Sequence, residues 1–171
     1  MDFTDLIKKR KSIRKYDLTK PVSEELVAKL LDAARIAPSA CNLQPWHFIV
    51  IKDSKVKEKL KEAYGREWFY TAPVIIVGCV DTSVSWKRSF DKADYSHVDL
   101  AIAFEHLLLA AANEGLGTCW VGAFNPEIAR KVLGVPQNIN IIAMTPVGFP
   151  AEDPVLRPRK ELSEIVHKDI W

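Results

Sequence analysis

A single domain of layered α/β architecture, helices packed on a sheet, is what this sequence predicts, and three observations predict it. Segments with helical spacing of apolar residues alternate with short, continuous β-branched runs. No linker, low-complexity tract or repeat interrupts the 171 residues. At 48% apolar and 27% charged residues, the chain can bury one core without staples.

The elements follow in order. Residues 4–9 read as a short opening helix with Leu6 and Ile7 turned inward, before a basic stretch at 10–15. Ser23 caps the next helix, and Glu24 and Glu25 occupy its first turn, where the helix dipole favours acids. Leu26, Val27, Leu30, Leu31 and Ala34 make its apolar stripe, and Pro38 ends it. Residues 48–51 and 74–77 read as strands covered on both faces. Between them Asp53 or Ser54 caps a lysine-rich helix to about Tyr64, burying Val56 and Leu60. Residues 81–95 are polar and lose period, as a loop or lid does.

The longest helix spans residues 96–114. Ser96 and Asp99 resemble a capping box, Leu100, Ala103, Phe104, Leu107, Leu108 and Ala111 line its apolar side, and Gly115 stops it. Residues 118–121 form a short strand, Asn125-Pro126 opens a helix that Gly134 closes, and 139–147 is the last strand. Residues 151–171 make an arginine-bearing arm and an extended tail. With Leu162, Ile165, Val166, Ile170 and Trp171, that tail is too apolar for water and calls for another subunit to pack on.

A net charge of +2 gives no reason to expect nucleic acid or a membrane surface as partner. Residues 1–5 do not resemble a secretory leader, and the longest apolar run is far below the ~20 residues of a membrane helix. Cys41, Cys79 and Cys119 form no C-x-x-C pair and read as reduced thiols, which suggests the cytoplasm. His47, His97, His106 and His167 form no H-E-x-x-H, so no metal site is expected.

Four segments carry the candidate chemistry. In Arg10-Lys11-Ser12-Ile13-Arg14, alternate side chains of an extended strand would turn two guanidiniums and a hydroxyl to one side, suited to phosphate. A solvated basic turn is the plainer alternative. Arg157-Pro158-Arg159 places two more guanidiniums near the other terminus, and both clusters could close on one anion. The run Ala37-Pro38-Ser39-Ala40-Cys41-Asn42-Leu43-Gln44-Pro45-Trp46 is long and polar for a helix-to-strand connection. Ser39, Asn42 and Gln44 could meet the heteroatoms of a flat ring, or simply satisfy the loop's own backbone. In Gly115-Leu116-Gly117-Thr118-Cys119-Trp120-Val121-Gly122, the last glycine permits close approach of a ligand, or merely a turn. The run follows a helix and lacks G-x-G-x-x-G, which disfavours a Rossmann site.

Together these four segments, in their order along the chain, resemble the FMN-dependent nitroreductase family, with A-P-S-x-x-N-x-Q-P-W the most specific mark and R-x-S-x-R the next. The resemblance implies a three-layer sandwich, a mixed and largely antiparallel sheet flanked by helices, in an intertwined homodimer with the C-terminal arm on the partner. It implies FMN as cofactor, with NADH or NADPH as co-substrate. Arg10, Lys11, Ser12 and Arg14 would hold the phosphate, ribityl chain and pyrimidine edge, completed by Arg157 and Arg159. Pro38, Ser39, Ala40 and Asn42 would come from the partner chain, with Gln44 near the ring. Trp120, Val121 and Gly122 would lie along the ring, with the Gly122 amide near flavin N5. No catalytic side chain is implied, because the flavin carries the chemistry.

The sequence departs from larger family members in its shortness. Residues 87–95 stand where a longer helical insertion covers their active site, and Arg66 or Arg14 would serve the pyrimidine edge. Hydride transfer to a nitroaromatic, quinone or similar small acceptor is the leading expectation. Reductive dehalogenation, flavin fragmentation and a non-enzymatic flavin binder are the alternatives.

Overall fold

The computed structural model describes residues 2–171. Its helices are α1 (Phe3–Lys9), α2 (Glu24–Arg35), α3 (Ser54–Leu60), α4 (Glu67–Tyr70), α5 (Ser96–Asn113), α6 (Pro126–Leu133) and α7 (Leu162–Ile165). Its strands are β1 (Trp46–Ile51), β2 (Val74–Asp81), β3 (Gly117–Thr118) and β4 (Ile139–Gly148). They form one antiparallel sheet of order β1-β2-β4-β3.

Alternation along β2 builds the layers. Val74, Ile76 and Val80 pack with α2 and α5, through Leu30, Ala34, Leu100, Phe104 and Leu107. Ile75, Val77 and Cys79 face the other way, onto Leu60, Phe69 and Ala129 of α3, α4 and α6. Side chains two apart on a strand share a face, so one continuous apolar strand feeds both cores. The expected sandwich is present.

The caps explain most boundaries. Ser23 Oγ accepts from Leu26 N, and Asp53 accepts from Lys55 N and Val56 N. Asn125 accepts from Glu127 N and Ile128 N ahead of Pro126, and Gly134 closes α6 in the left-handed region.

Six local expectations change. Ser96 and Asp99 form no capping box: Tyr95 is the N-cap of α5, Ser96 N donates to Asp94, and Asp99 turns inward to another partner. In α1, Leu6 is only half-buried and Ile7 is 46% exposed, because this short helix lies on the outside of the sandwich. β1 is an edge strand whose middle is half-buried rather than covered on both faces. β3 is confined to Gly117–Thr118, and Val121 joins the sheet through a separate bridge to Met144. The lysine-rich helix ends at Leu60 and continues to Ala63 only as turns. The tail, expected to be extended, contains α7, with a capping box between Glu161 and Glu164.

Candidate functional site

The basic segment after α1 is extended because it docks on the sheet. Ser12 bridges Thr118 in parallel, and Ile13 N donates to Thr118 O at 2.8 Å. Ile13 is buried, and this apolar residue between two arginines is the anchor. Docking requires Gly117: a Cβ there would lie 2.8 Å from the Cβ, Cγ1 and Cγ2 of Ile13. Gly117 is therefore the floor under the arginines. Tyr16 also holds the segment, donating its hydroxyl to Ile13 O at 2.5 Å, and burial raises its pKa above the ordinary phenol value.

With Ile13 turned in, Arg10, Lys11, Ser12 and Arg14 line a cavity of about 680 Å³. Pro154, Val155, Leu156, Arg157, Pro158 and Arg159 form its opposite wall. Basic clusters from both ends of the chain thus meet around one space, with five cationic side chains and no carboxylate in the lining. Acids hold its outside. Arg10 Nε lies 3.9 Å from Glu105, Lys11 Nζ is 2.8 Å from Asp153, and Glu152 accepts from Arg14 N at 2.6 Å. Arg14 also stacks over Trp68 at 5.8 Å, a contact that the sequence does not announce. Burial raises the Glu105 pKa, opposed by Arg10 and His106.

The other candidates lie elsewhere on this chain. Trp120 is 40% exposed and packs edge-on to Phe104 at 4.9 Å. Val121 is buried, bound to Met144 through both backbone groups. A Cβ on Gly122 would meet nothing nearer than Trp120 Nε1 at 3.9 Å, so no neighbour in this chain requires glycine there. Among the described residues, Gly122 N has no hydrogen-bond partner.

The loop at 37–46 does not line the cationic cavity. Its polar groups largely satisfy one another: Ser39 Oγ accepts from Gln44 N, and Gln44 Nε2 donates to Asn42 O and Oδ1. Ala40 N donates to Asp99 Oδ1 at 2.9 Å, a partnership missed in the sequence because Asp99 was assigned to a cap. Pro38 ends the approach from α2 without touching the cavity. Arg66 is exposed at the start of α4. Residues 86–95 fold as a small hairpin, with Lys87 bridging Asp94 and Phe90 95% exposed near its tip. No group of His, Cys, Asp and Glu that could hold a metal occurs among the described residues, and no helix among them is long and apolar enough to cross a membrane.

The fold and the cationic cavity define an α+β sandwich equipped for an anionic ligand. More particularly, the chain belongs to the nitroreductase family, whose model matches residues 7–68 and 61–149. A Methanothermobacter thermautotrophicus protein, provisionally named NADH dehydrogenase/NAD(P)H nitroreductase, is 38% identical over 100% of this chain and 88% of its own. The NADH dehydrogenase of Thermus thermophilus is 32% identical over 92% of this chain and 91% of its own. The iodotyrosine deiodinase of Thermotoga neapolitana is 29% identical over 92% and 94%. Among solved structures, a nitroreductase family protein of Clostridium difficile 630 is 36% identical, with a TM-score of 0.93 over 100% of both chains. An FMN-dependent nitroreductase of Clostridium difficile R20291 is 29% identical, with a TM-score of 0.82 over 99% of this chain and 100% of that one.

Proposed function

We propose that the protein is an FMN-dependent oxidoreductase that passes hydride from NADH or NADPH to a small oxidised acceptor such as a nitroaromatic or quinone. The observation that carries this is the cavity where Arg10, Ser12 and Arg14 face Arg157 and Arg159. A phosphate monoester brings about two negative charges, and of the five cations lining the cavity Arg14, Arg157 and Arg159 form no salt bridge among the described residues, while Arg10 and Lys11 are paired outside it with Glu105 and Asp153. The names of the relatives supply the reaction class: one structural neighbour is FMN-dependent, and two curated relatives are named for NADH or NAD(P)H.

Arg10, Lys11, Arg157 and Arg159 would bind the phosphate, and Ser12 the ribityl hydroxyls. Arg14, steadied by Trp68, would hold positive charge at the pyrimidine edge. The unclaimed Gly122 N–H would donate beside N5, and the missing Cβ leaves room for a ring to approach. Trp120 and Val121 would flank the ring. Pro38, Ser39, Ala40 and Asn42, with Gln44 at the ring, would enter from a second copy of the chain in a homodimer. When bound, FMN supplies the hydride relay, so no side-chain nucleophile is required. The exposed apolar arm, with Leu162 73% and Trp171 99% exposed, suits wrapping on that second copy. Its three free cysteines suit a reducing cytoplasm.

The test is the visible spectrum of the purified protein before and after anaerobic NADPH. A bound flavin that bleaches on reduction is expected. A colourless protein that takes up no added FMN would refute the proposal.

A second reading keeps the cofactor and changes the acceptor. The deiodinase relative and the preformed hairpin at 86–95 favour a clamped, specific halogenated substrate. Rapid NADPH turnover with a nitroaromatic and no halide release from a halophenol would decide against it.

A further inference from the structure

We propose that Asp99 is the positioning residue of the 37–46 loop, its carboxylate fixing the backbone shape in which that loop meets the flavin. This rests on the functional reading above, which gives the loop to the cofactor site.

The loop is strained. Cys41, Asn42 and Gln44 have φ of 51°, 55° and 49°, three non-glycine residues in the left-handed region within four positions. Such backbone persists only where its surroundings hold it. Most of what holds this loop is internal and exposed, namely the bonds among Ser39, Asn42 and Gln44. Among the described residues, the only side chain from outside that bonds the loop is Asp99, through Ala40 N at 2.9 Å. Ala40 N–H is thereby committed to the protein rather than to a ligand.

Asp99 is costly for packing alone. It is 2% exposed, yet Oδ2 has no partner, and neither does the neighbouring buried Ser96 Oγ. A buried carboxylate with one oxygen unpaired is a penalty that an apolar residue would avoid. In return it makes a charge-assisted bond to a backbone N–H, stronger than a neutral one. Its place in the first turn of α5 favours negative charge and gives it a rigid base on the core helix.

Three variants of the full-length protein test this. Asp99→Ala removes the acceptor. Asp99→Asn keeps the volume and an oxygen for Ala40 N and removes the charge. Ala40→Pro removes the donor without changing Asp99: Ser39, at φ −141° and ψ 160°, is already in the conformation a following proline requires, and the first position of a helical turn accepts proline. Apoprotein is titrated with FMN by flavin fluorescence, and hydrogen exchange is followed across the loop.

Asp99→Ala and Ala40→Pro should each weaken FMN by about ten-fold or more, and Asp99→Asn by no more than about three-fold. The double variant Asp99→Ala/Ala40→Pro should lose little beyond either single one, since both delete one bond. Exchange should accelerate within the loop in Asp99→Ala and return to the wild-type rate in Asp99→Asn. Wild-type affinity in both Asp99→Ala and Ala40→Pro would overturn the proposal and leave the functional reading standing. So would a loss in Asp99→Asn as large as in Asp99→Ala. Should Asp99→Ala fail to fold, Ala40→Pro decides through hydrogen exchange of residues 41–46 in the apoprotein, a readout that direct contact of residue 40 with the flavin does not move; wild-type exchange there would overturn the proposal. Failure of the wild-type apoprotein to bind FMN would refute both proposals.

Discussion

Replacing Gly117 with alanine adds one methyl group, and the structure says what that methyl meets. It would sit 2.8 Å from three carbons of Ile13, a buried side chain between the sheet and the basic segment. Normal carbon contacts are about 3.5–4.0 Å, so either Ile13 or the whole 10–14 strand must lift off β3. Overpacking of this kind costs about 1–3 kcal/mol. For a chain of this length each kcal/mol lowers Tm by about 2–4 °C, giving an expected fall of about 2–12 °C. Lifting the strand also displaces Arg10, Ser12 and Arg14 from the cavity wall, so FMN affinity should fall with stability. Trimming the obstacle should then help in part: Ile13→Ala alone loses about 2–5 kcal/mol, and it removes the two Cγ contacts but keeps the one at Cβ, so Gly117→Ala should be less harmful on that background than on the wild type without becoming harmless. Thermal unfolding and FMN titration of the four proteins measure the coupling, expected at about 0.5–3 kcal/mol. Equal effects of Gly117→Ala on both backgrounds, or an unchanged Tm, would refute the close-approach argument.

Arg159→Ala should weaken FMN about ten-fold or more and leave riboflavin, which has no phosphate, nearly unaffected; equal losses for both flavins would remove the residue from the phosphate site. In the native apoprotein at pH 8, only the exposed Cys41 should react with a thiol reagent, because burial pushes the Cys79 thiol up to about 11 and also raises Cys119. All three should react after denaturation, and rapid native labelling of Cys79 would contradict the packing. Glu105 has a folded-state pKa raised by burial, so above its ordinary range the folded protein binds more protons than the unfolded one. Stability should therefore fall as pH rises through a window just above pH 4.5, and Glu105→Gln should remove that slope; the half-exposed side chain keeps the effect small. A steeper slope in Glu105→Gln would reverse the sign.

Much of the framework was legible because it obeys local rules. Ser23, Asp53 and Asn125 cap what their side chains suggest, and the apolar run of β2 belongs to a strand buried on both faces. The misreadings share one physical cause: each outcome was set by tertiary context that local spacing does not carry. Asp99 at the third position after Ser96 fits a capping pattern, but its carboxylate goes to Ala40, 59 residues away. β1 looks like β2 in composition, yet edge position is a property of the sheet and not of the strand. α1 shows Leu6 and Ile7 at a plausible inward spacing, while nothing in its seven residues reveals that the outer layer stops short of them. Of the site, the meeting of two basic clusters was readable in outline, since guanidiniums at both ends suit one anion. What made it possible, Ile13 seated on Gly117, was hidden because no local pattern links an apolar residue in a basic run to a glycine about 100 positions on.

The cationic cavity takes one wall from residues 10–14 and the other from residues 154–159, more than 130 positions apart along the chain. During synthesis, Arg10 leaves the ribosome long before Arg159 exists, so the nascent chain has half a grip on a phosphate and no means to close it. Ligand capture would thus follow formation of the sheet, since residues 154–159 come after β4 in the chain. A chain cut between β4 and Arg157 would keep both hydrophobic layers and lose one wall of the anion's cavity.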